Sequence, residues 1–202
     1  MEILLLAPAP PLLFMGEEFG ATSPFLFFCD FQGDLASSVT TGRRNEFARF
    51  SQFRSIETRH QIPDPNAEES FHRSKLNWDS LTDESHASWL QLYRKLLSIR
   101  RRVVAPRLAA VASVSTRYSK LQNLGLAVDW NLGDGSVLKL CANLGRDWLT
   151  TRMSQLGGPF YSSSQEAANA LLHNRLAPCS VIWFVQTCNH GESLPSSCAD
   201  GP

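Results

Sequence analysis

Apolar positions in this chain follow three different rules in turn. The opening run, Ile3 to Met15, is apolar on every side and is broken by Pro8, Pro10 and Pro11. It predicts a buried helix end, a proline-rich turn and a short strand, Leu12 to Met15, buried on both faces as in a parallel sheet. A parallel strand needs neighbours, yet no comparable segment follows before residue 105. The pattern therefore predicts part of a larger sheet. Residues 20 to 80 are mixed, with an aromatic cluster (Phe25, Phe27, Phe28, Phe31) and an open loop at Pro63-Asp-Pro-Asn66. Leu35 to Phe50 predicts one or two helices interrupted near Gly42.

The period of 3.6 is clearest from Thr82 to Arg101. Trp89, Leu92, Tyr93, Leu96 and Leu97 form one stripe, Thr82 is the expected N-cap, and Asp83 and Glu84 suit the first turn. The basic end, including Arg100 to Arg102, reads as a solvated helix terminus or as a binding patch. After Pro106 the period falls to two. Leu124, Leu126, Val128 and Trp130 alternate with Gly125, Ala127, Asp129 and Asn131, a turn follows to Gly135, and Val137 to Leu144 returns as a hairpin partner. Val181 to Val185 closes the set. The fold class expected is α+β, with an antiparallel sandwich at residues 106–188 after a helical and loop-rich region at 1–105. The Ser-, Gly- and Pro-rich tail at 189–202 is expected to be disordered.

Composition changes this picture little. With 19 basic and 19 acidic residues, the chain lacks the positive surplus that phosphate backbones attract, so no nucleic-acid partner is expected. The first apolar run has no basic residue before Arg43 and is too short for a membrane helix, so it is read as core rather than as a leader or an anchor. Cys29, Cys141, Cys179, Cys188 and Cys198 show no metal spacing. They fit thiols in a reducing compartment, and the last two, in the tail, could pair. The five histidines show no HExxH spacing, so neither a metal nor a cofactor is expected.

Chemistry-bearing residues are sparse. Glu17 and Glu18 follow the apolar strand through Gly16. Adjacent carboxylates do not readily make a glycosidase pair, which must face each other across about 5 to 9.5 Å. One is expected to support a site and the other to brace a loop. Asp30 could contact sugar hydroxyls, with Phe25 to Phe31 either a stacking wall or, more simply, core. Arg43 and Arg44, near Glu46, form either a loop ion-pair set or part of a polar cleft. Val128-Asp-Trp-Asn131 places its aspartate in the hairpin, away from catalysis.

Leu12-Leu-Phe-Met-Gly-Glu-Glu18 resembles the last barrel strand of the α-amylase family of glycoside hydrolases. Pro24-Phe-Leu-Phe-Phe-Cys-Asp30, Gly42-Arg-Arg-x-Glu-Phe47, Ile62-Pro-Asp-Pro-Asn66 and Phe71-x-x-Ser-Lys-Leu-x-Trp78 follow in the order and spacing of the malto-oligosyltrehalose trehalohydrolases, which they resemble. The resemblance runs over about residues 3 to 186. It implies that residues 1–105 are the last strand and helix of a truncated (β/α)8 barrel and that 106–188 are a C-terminal β-domain. It also implies cleavage of the α-1,4 bond next to a terminal trehalose unit, by an aspartate nucleophile, a glutamate acid/base and a second aspartate. All three come from earlier barrel strands, and none falls on a residue of this sequence. Glu17, Glu18, Asp30, Arg43 and Arg44 match a support region near the cleft. The implied partner is malto-oligosyltrehalose or a malto-oligosaccharide, in the cytoplasm, with a missing N-terminal polypeptide supplying catalysis. A free-standing sugar-binding or interaction module is the alternative. A branching or debranching relative fits the block at 42–78 less well.

Overall fold

The computed structural model describes residues 1–108, 115–151 and 158–187. The predicted tail at 189–202, with Cys188 and Cys198, lies outside the described residues. The chain divides into two compact units, one of Leu13–Tyr93 and the other of residues 1–12 with the chain from Arg94 onward.

The second of these begins with α1, Glu2–Leu6, which buries Leu5 and Leu6 before the proline-rich turn, as the opening pattern implied. In the Leu13–Tyr93 unit, Leu12 to Met15 does not become a strand. Among the described residues no strand pairs with it, and Leu13 is only partly covered while Phe14 and Met15 are half exposed. This corrects the sequence expectation. Apolar pattern cannot supply the lateral hydrogen bonds that a parallel strand requires. Gly16 instead turns the chain at φ 84° into a 3-10 turn, Glu17–Phe19. A side chain at Gly16 would lie 2.7 Å from Leu76 Cδ2, so the turn and its packing both select glycine.

α2 spans Gly33–Phe47 without interruption, correcting the expected break at Gly42. A Cβ at Gly42 would meet nothing within 4 Å, so the helix continues through the exposed position and loses only backbone entropy there. Gly42→Ala should raise stability by about 0.5–1 kcal/mol, measured as a rise in thermal midpoint; a fall would show strain at that point. α3, Ile56–His60, is capped by Ser55, whose hydroxyl accepts from Thr58 N. α4 is Glu68–Ser74.

α5, Glu84–Ile99, starts one residue later than a cap at Thr82 implies. The Thr82 hydroxyl donates to Asp79 O at 2.8 Å, closing the preceding 3-10 turn, and Asp83 O accepts the first helical bond from Ala87 N. Tyr93, Leu96 and Ile99 are buried, whereas Trp89 and Leu97 stay partly exposed. A π-helical turn, Arg100–Val104, follows. Arg101 and Arg102 are exposed as a solvated terminus would be. Arg100 is not. Its guanidinium donates to the carbonyls of Leu5, Ala7, Pro8 and Ala9 at 3.0, 2.5, 3.3 and 2.9 Å, and burial pulls its pKa down. It closes the C-terminal end of α1, whose last carbonyls have no helical partner.

The sheet joins β1 (Thr116–Leu121), β2 (Gly125–Asn131), β3 (Val137–Asn143), β5 (Tyr161–Ser162) and β7 (Ser180–Gln186) in the order β1-β2-β3-β7-β5, all antiparallel. The predicted hairpin is β2–β3, with Asp129 opposite Lys139 and joined to it at 2.6 Å. β7 sits inside the sheet and is buried through Phe184. β4 (Leu149–Thr150) and β6 (Arg175–Leu176) form a separate two-stranded ribbon. With α6 (Gln165–Leu172), the ribbon covers one sheet face through Leu149, Ala167, Ala170, Leu171 and Leu176, which meet Cys141, Ile182 and Phe184. The second layer is thus a helix and a ribbon rather than the full second sheet expected of a sandwich, because α6 carries the apolar stripe that covers the sheet. On the other face Trp130 stacks on Trp183 at 5.6 Å, and Tyr161 donates to Glu2 of α1. Burial pushes the Cys141 thiol up to about 12, which makes it inert as a nucleophile.

Candidate functional site

The Leu13–Tyr93 unit holds the residues singled out by the sequence. Its organising feature is the loop between α3 and α4. Asp64 and Asn66 close an Asx turn, Asn66 N donating to Asp64 Oδ1 at 3.0 Å. The Asn66 amide then uses both ends. Its oxygen accepts from Phe31 N at 3.0 Å and from Cys29 Sγ at 3.3 Å, and its nitrogen donates to Ala36 O and Thr40 Oγ1. This ties the aromatic segment, α2 and the loop to one side chain. Thr40 Oγ1 also donates to Asp64 at 2.6 Å. That bond, the Asn66 amide and the nearby Arg44 hold Asp64 below the usual carboxylate range.

Beside this loop lies a cleft of about 540 Å³ lined by Phe28, Cys29, Asp30, Asn66, Glu68 and Phe71, among others. Asp30 is exposed there, with Gln32 Nε2 donating to it at 3.1 Å. A row of rings runs from it: Phe71 to Phe28 at 5.3 Å, Phe28 to Phe25 at 6.0 Å and Phe25 to Phe14 at 5.0 Å. Phe25, Phe27 and Phe31 remain between 42% and 49% exposed, so the cluster is a wall rather than core. It lies in an extended segment held by loop contacts. Such a segment buries less than a paired strand.

Arg43 is in an adjoining pocket of about 220 Å³ with Phe25, Phe27, Phe47 and Phe53. Its guanidinium lies over Phe47 at 4.4 Å and Phe27 at 5.4 Å and pairs with Glu46 at 3.2 Å. Arg44 faces Asp64 electrostatically, and its buried Nε has no hydrogen-bond partner among the described residues. Glu17 and Glu18 lie at the other end of the ring row, in the 3-10 turn. Glu17 accepts from Tyr93 OH at 2.7 Å and from Phe14 N at 3.1 Å and lines a third pocket of about 350 Å³. The structure therefore brings Asp30 into a cleft with the aromatic wall, puts Arg43 next door, and sets the glutamates apart.

α5 secures that turn with a polar ladder. His86 Nδ1 bonds Phe19 O at 2.7 Å, Trp89 Nε1 donates to Glu17 O at 2.9 Å, and Tyr93 reaches the Glu17 carboxylate. The Tyr93 bond is the largest cause of a Glu17 pKa below the ordinary 4.5, and Tyr93 is raised in turn by burial and by that carboxylate. A depressed folded-state pKa contributes stability above the unfolded value and loses it as pH falls through the folded one. Glu17→Gln should accordingly lower the thermal midpoint most near neutral pH, with the gap to the parent chain closing as the pH falls below the ordinary glutamate value and through the lowered one. A gap independent of pH would remove the ionised Glu17 from the account.

Asn66, Glu68 and Phe71 were not among the expected site residues. The Asp-Pro-Asn turn was a signal for the first, since Asx turns place the amide beside neighbouring backbone. Among the described residues no cluster of His, Cys, Asp and Glu could hold a metal, and no helix is long and apolar enough to cross a membrane. Aromatic walls with an exposed carboxylate and a fixed amide suit a polyhydroxylated ligand.

The comparisons with known proteins bear on the fold. A family described as a domain of unknown function, DUF3459, matches residues 116–183. A 1.4 Å crystal structure of a candidate alpha amylase from Salmonella typhimurium superposes with a TM-score of 0.77 at 36% identity, over 92% of this chain and 30% of that one. The architecture is therefore α-amylase-like and mixed α+β, as the resemblance implied. Within that class, the chain is similar to malto-oligosyltrehalose trehalohydrolases. The protein of that name from Deinococcus radiodurans is 47% identical over 48% of this chain and 16% of its own length. That from Rhizobium sp. is 38% identical over 56% of this chain and 18% of its own. The chain thus matches less than a fifth of the length of these curated relatives.

Proposed function

We propose that the chain is the C-terminal part of a glycoside hydrolase that cleaves the α-1,4 bond next to the terminal trehalose of malto-oligosyltrehalose, and that it is inactive alone. In this reading residues 1–105 are the remnant of a (β/α)8 barrel and 106–188 its β-domain, in the cytoplasm, and a polypeptide carrying the catalytic carboxylates completes the site. The observation that carries the reading is the agreement of the trehalohydrolase similarity with the apolar but unpaired run that ends at Met15. A barrel strand would find its ladder partners in neighbouring strands, and residues 12 to 15 have none among the described residues.

Asp30, Arg43, Arg44, Glu17 and Glu18 are then supports. Asp30 accepts from sugar hydroxyls beside the ring wall; Arg43 stiffens that wall from behind; Arg44 holds Asp64; and the Glu17–Glu18 turn shapes the rim. Purified chain mixed with malto-oligosyltrehalose should release no trehalose. Mixing it with a polypeptide that supplies the preceding barrel strands of a trehalohydrolase should restore release, and Asp30→Ala should raise KM more than it lowers kcat. Sustained turnover by the chain alone would sink the claim of inactivity. Failure of the restored enzyme to discriminate malto-oligosyltrehalose from maltodextrin would sink the substrate.

A further inference from the structure

We propose that the shallow cavity between α6 and the β4–β6 ribbon is a second, non-catalytic binding subsite for a neutral glucan chain. The cavity has a volume of about 450 Å³ and is lined by Trp148, Glu166, Asn169, Ala170, His173 and Arg175. None of these was among the expected site residues.

Its walls follow from the local fold. α6 buries Ala167, Ala170 and Leu171 against the sheet, which leaves Glu166, Asn169 and His173 on its outer stripe at i, i+3 and i+7. Opposite, Thr150 of β4 pairs with Arg175 of β6. That pairing carries Trp148, just before β4, beneath the Arg175 guanidinium, 4.4 Å from the ring centroid. The guanidinium fixes the indole from one side, yet the ring is still 41% exposed. A large aromatic held rigid and left open is a stacking surface already prepared for a ligand.

The polar inventory identifies the ligand class. Arg175 only donates and Glu166 only accepts, while Asn169 does both, with Gln165 Nε2 donating to its oxygen at 3.1 Å. His173 Nδ1 meets the carbonyl of Asn169 at 3.2 Å. A carbonyl only accepts, so the ring donates to it from Nδ1. The lining therefore offers donors and acceptors around one aromatic ring, with one cation set against one anion. A phosphate or an acidic peptide would meet Glu166, and an apolar segment would bury these polar groups unpaired. A sugar, whose hydroxyls both donate and accept and whose ring has an apolar face, meets all of them. The choice of a glucan rests on the proposed function; the site does not.

The test uses the full chain, ¹⁵N-labelled, with maltoheptaose as probe. Saturable shifts should appear at the Trp148 indole and at the Asn169 and His173 amides. Trp148→Ala should weaken binding at this site by about tenfold or more, and Phe71→Ala should leave it unchanged. If Trp148→Ala unfolds the unit, Glu166→Ala with Asn169→Ala serves, since both side chains are exposed. Shifts confined to the Phe28, Asp30 and Phe71 cleft would overturn this subsite and leave the proposed function standing. Shifts confined to Trp148, Glu166, Asn169, His173 and Arg175 would uphold this subsite and leave the proposed function to its own test of trehalose release. Competition by inorganic phosphate, or no saturable shift at either place, would also overturn the subsite.

Discussion

Arg100→Ala is expected to destabilise its unit by about 3 kcal/mol, more than any single surface ion pair of this chain could contribute. One planar group satisfies four carbonyls, those of Leu5, Ala7, Pro8 and Ala9. Hydrogen bonds to a charged donor are worth more than neutral ones, and the acceptors left behind lie beside buried Leu5 and Leu6. The turn has few substitutes, because Pro8, Pro10 and Pro11 lack the N–H that could close it locally. Arg100→Lys should recover less than half of the loss, since an ammonium cannot fork across several oxygens. Urea denaturation followed by far-UV circular dichroism measures both. A loss under about 1 kcal/mol for Arg100→Ala would show that water replaces the guanidinium.

Asn66→Ala should follow closely, at about 2–3 kcal/mol, and should also loosen the candidate cleft. Truncation leaves Phe31 N, Cys29 Sγ, Ala36 O and Thr40 Oγ1 each short of a partner. Asn66→Asp keeps the acceptor but loses both donor bonds and puts a second carboxylate beside Asp64, so it should be no milder near neutral pH. Hydrogen exchange at the Phe31 amide separates this from general destabilisation. That amide should lose protection first in Asn66→Ala. Unchanged protection there would mean that the aromatic segment is held by other contacts.

The parts legible in the sequence were those set by a repeating period. The β2–β3 hairpin, α5 and the buried β7 each follow from apolar spacing, and the trehalohydrolase likeness followed from the ordered blocks at 12–78. What escaped was set by single side chains acting at long range. Arg100 looked like one more residue of a basic helix end, because nothing local says that its partners lie in the first nine residues. Leu12 to Met15 looked like a strand from its apolar pattern, although the sequence offered no neighbour to pair with it and a run without ladder partners stays unpaired. Trp89 and Tyr93 were read as apolar stripe, although their N–H and O–H groups bind the Glu17 turn. Asp30 was legible as an exposed carboxylate beside aromatics. Asn66 was visible only as a loop residue, since its role depends on four groups brought together by the fold.

The Arg100 clamp also sets a timetable for biosynthesis. Its bond to Leu5 spans 95 positions, so at about 5–20 residues per second the opening helix leaves the ribosome roughly 5–20 s before its clamp is made. During that interval Leu5 and Leu6 lack the part of their cover that comes from the Arg100–Val104 turn, and the nascent chain presents that side to whatever binds apolar segments at the exit tunnel. Slow codons between residues 13 and 94 would lengthen the exposure, and fast ones would shorten it, without changing a single contact of the finished fold.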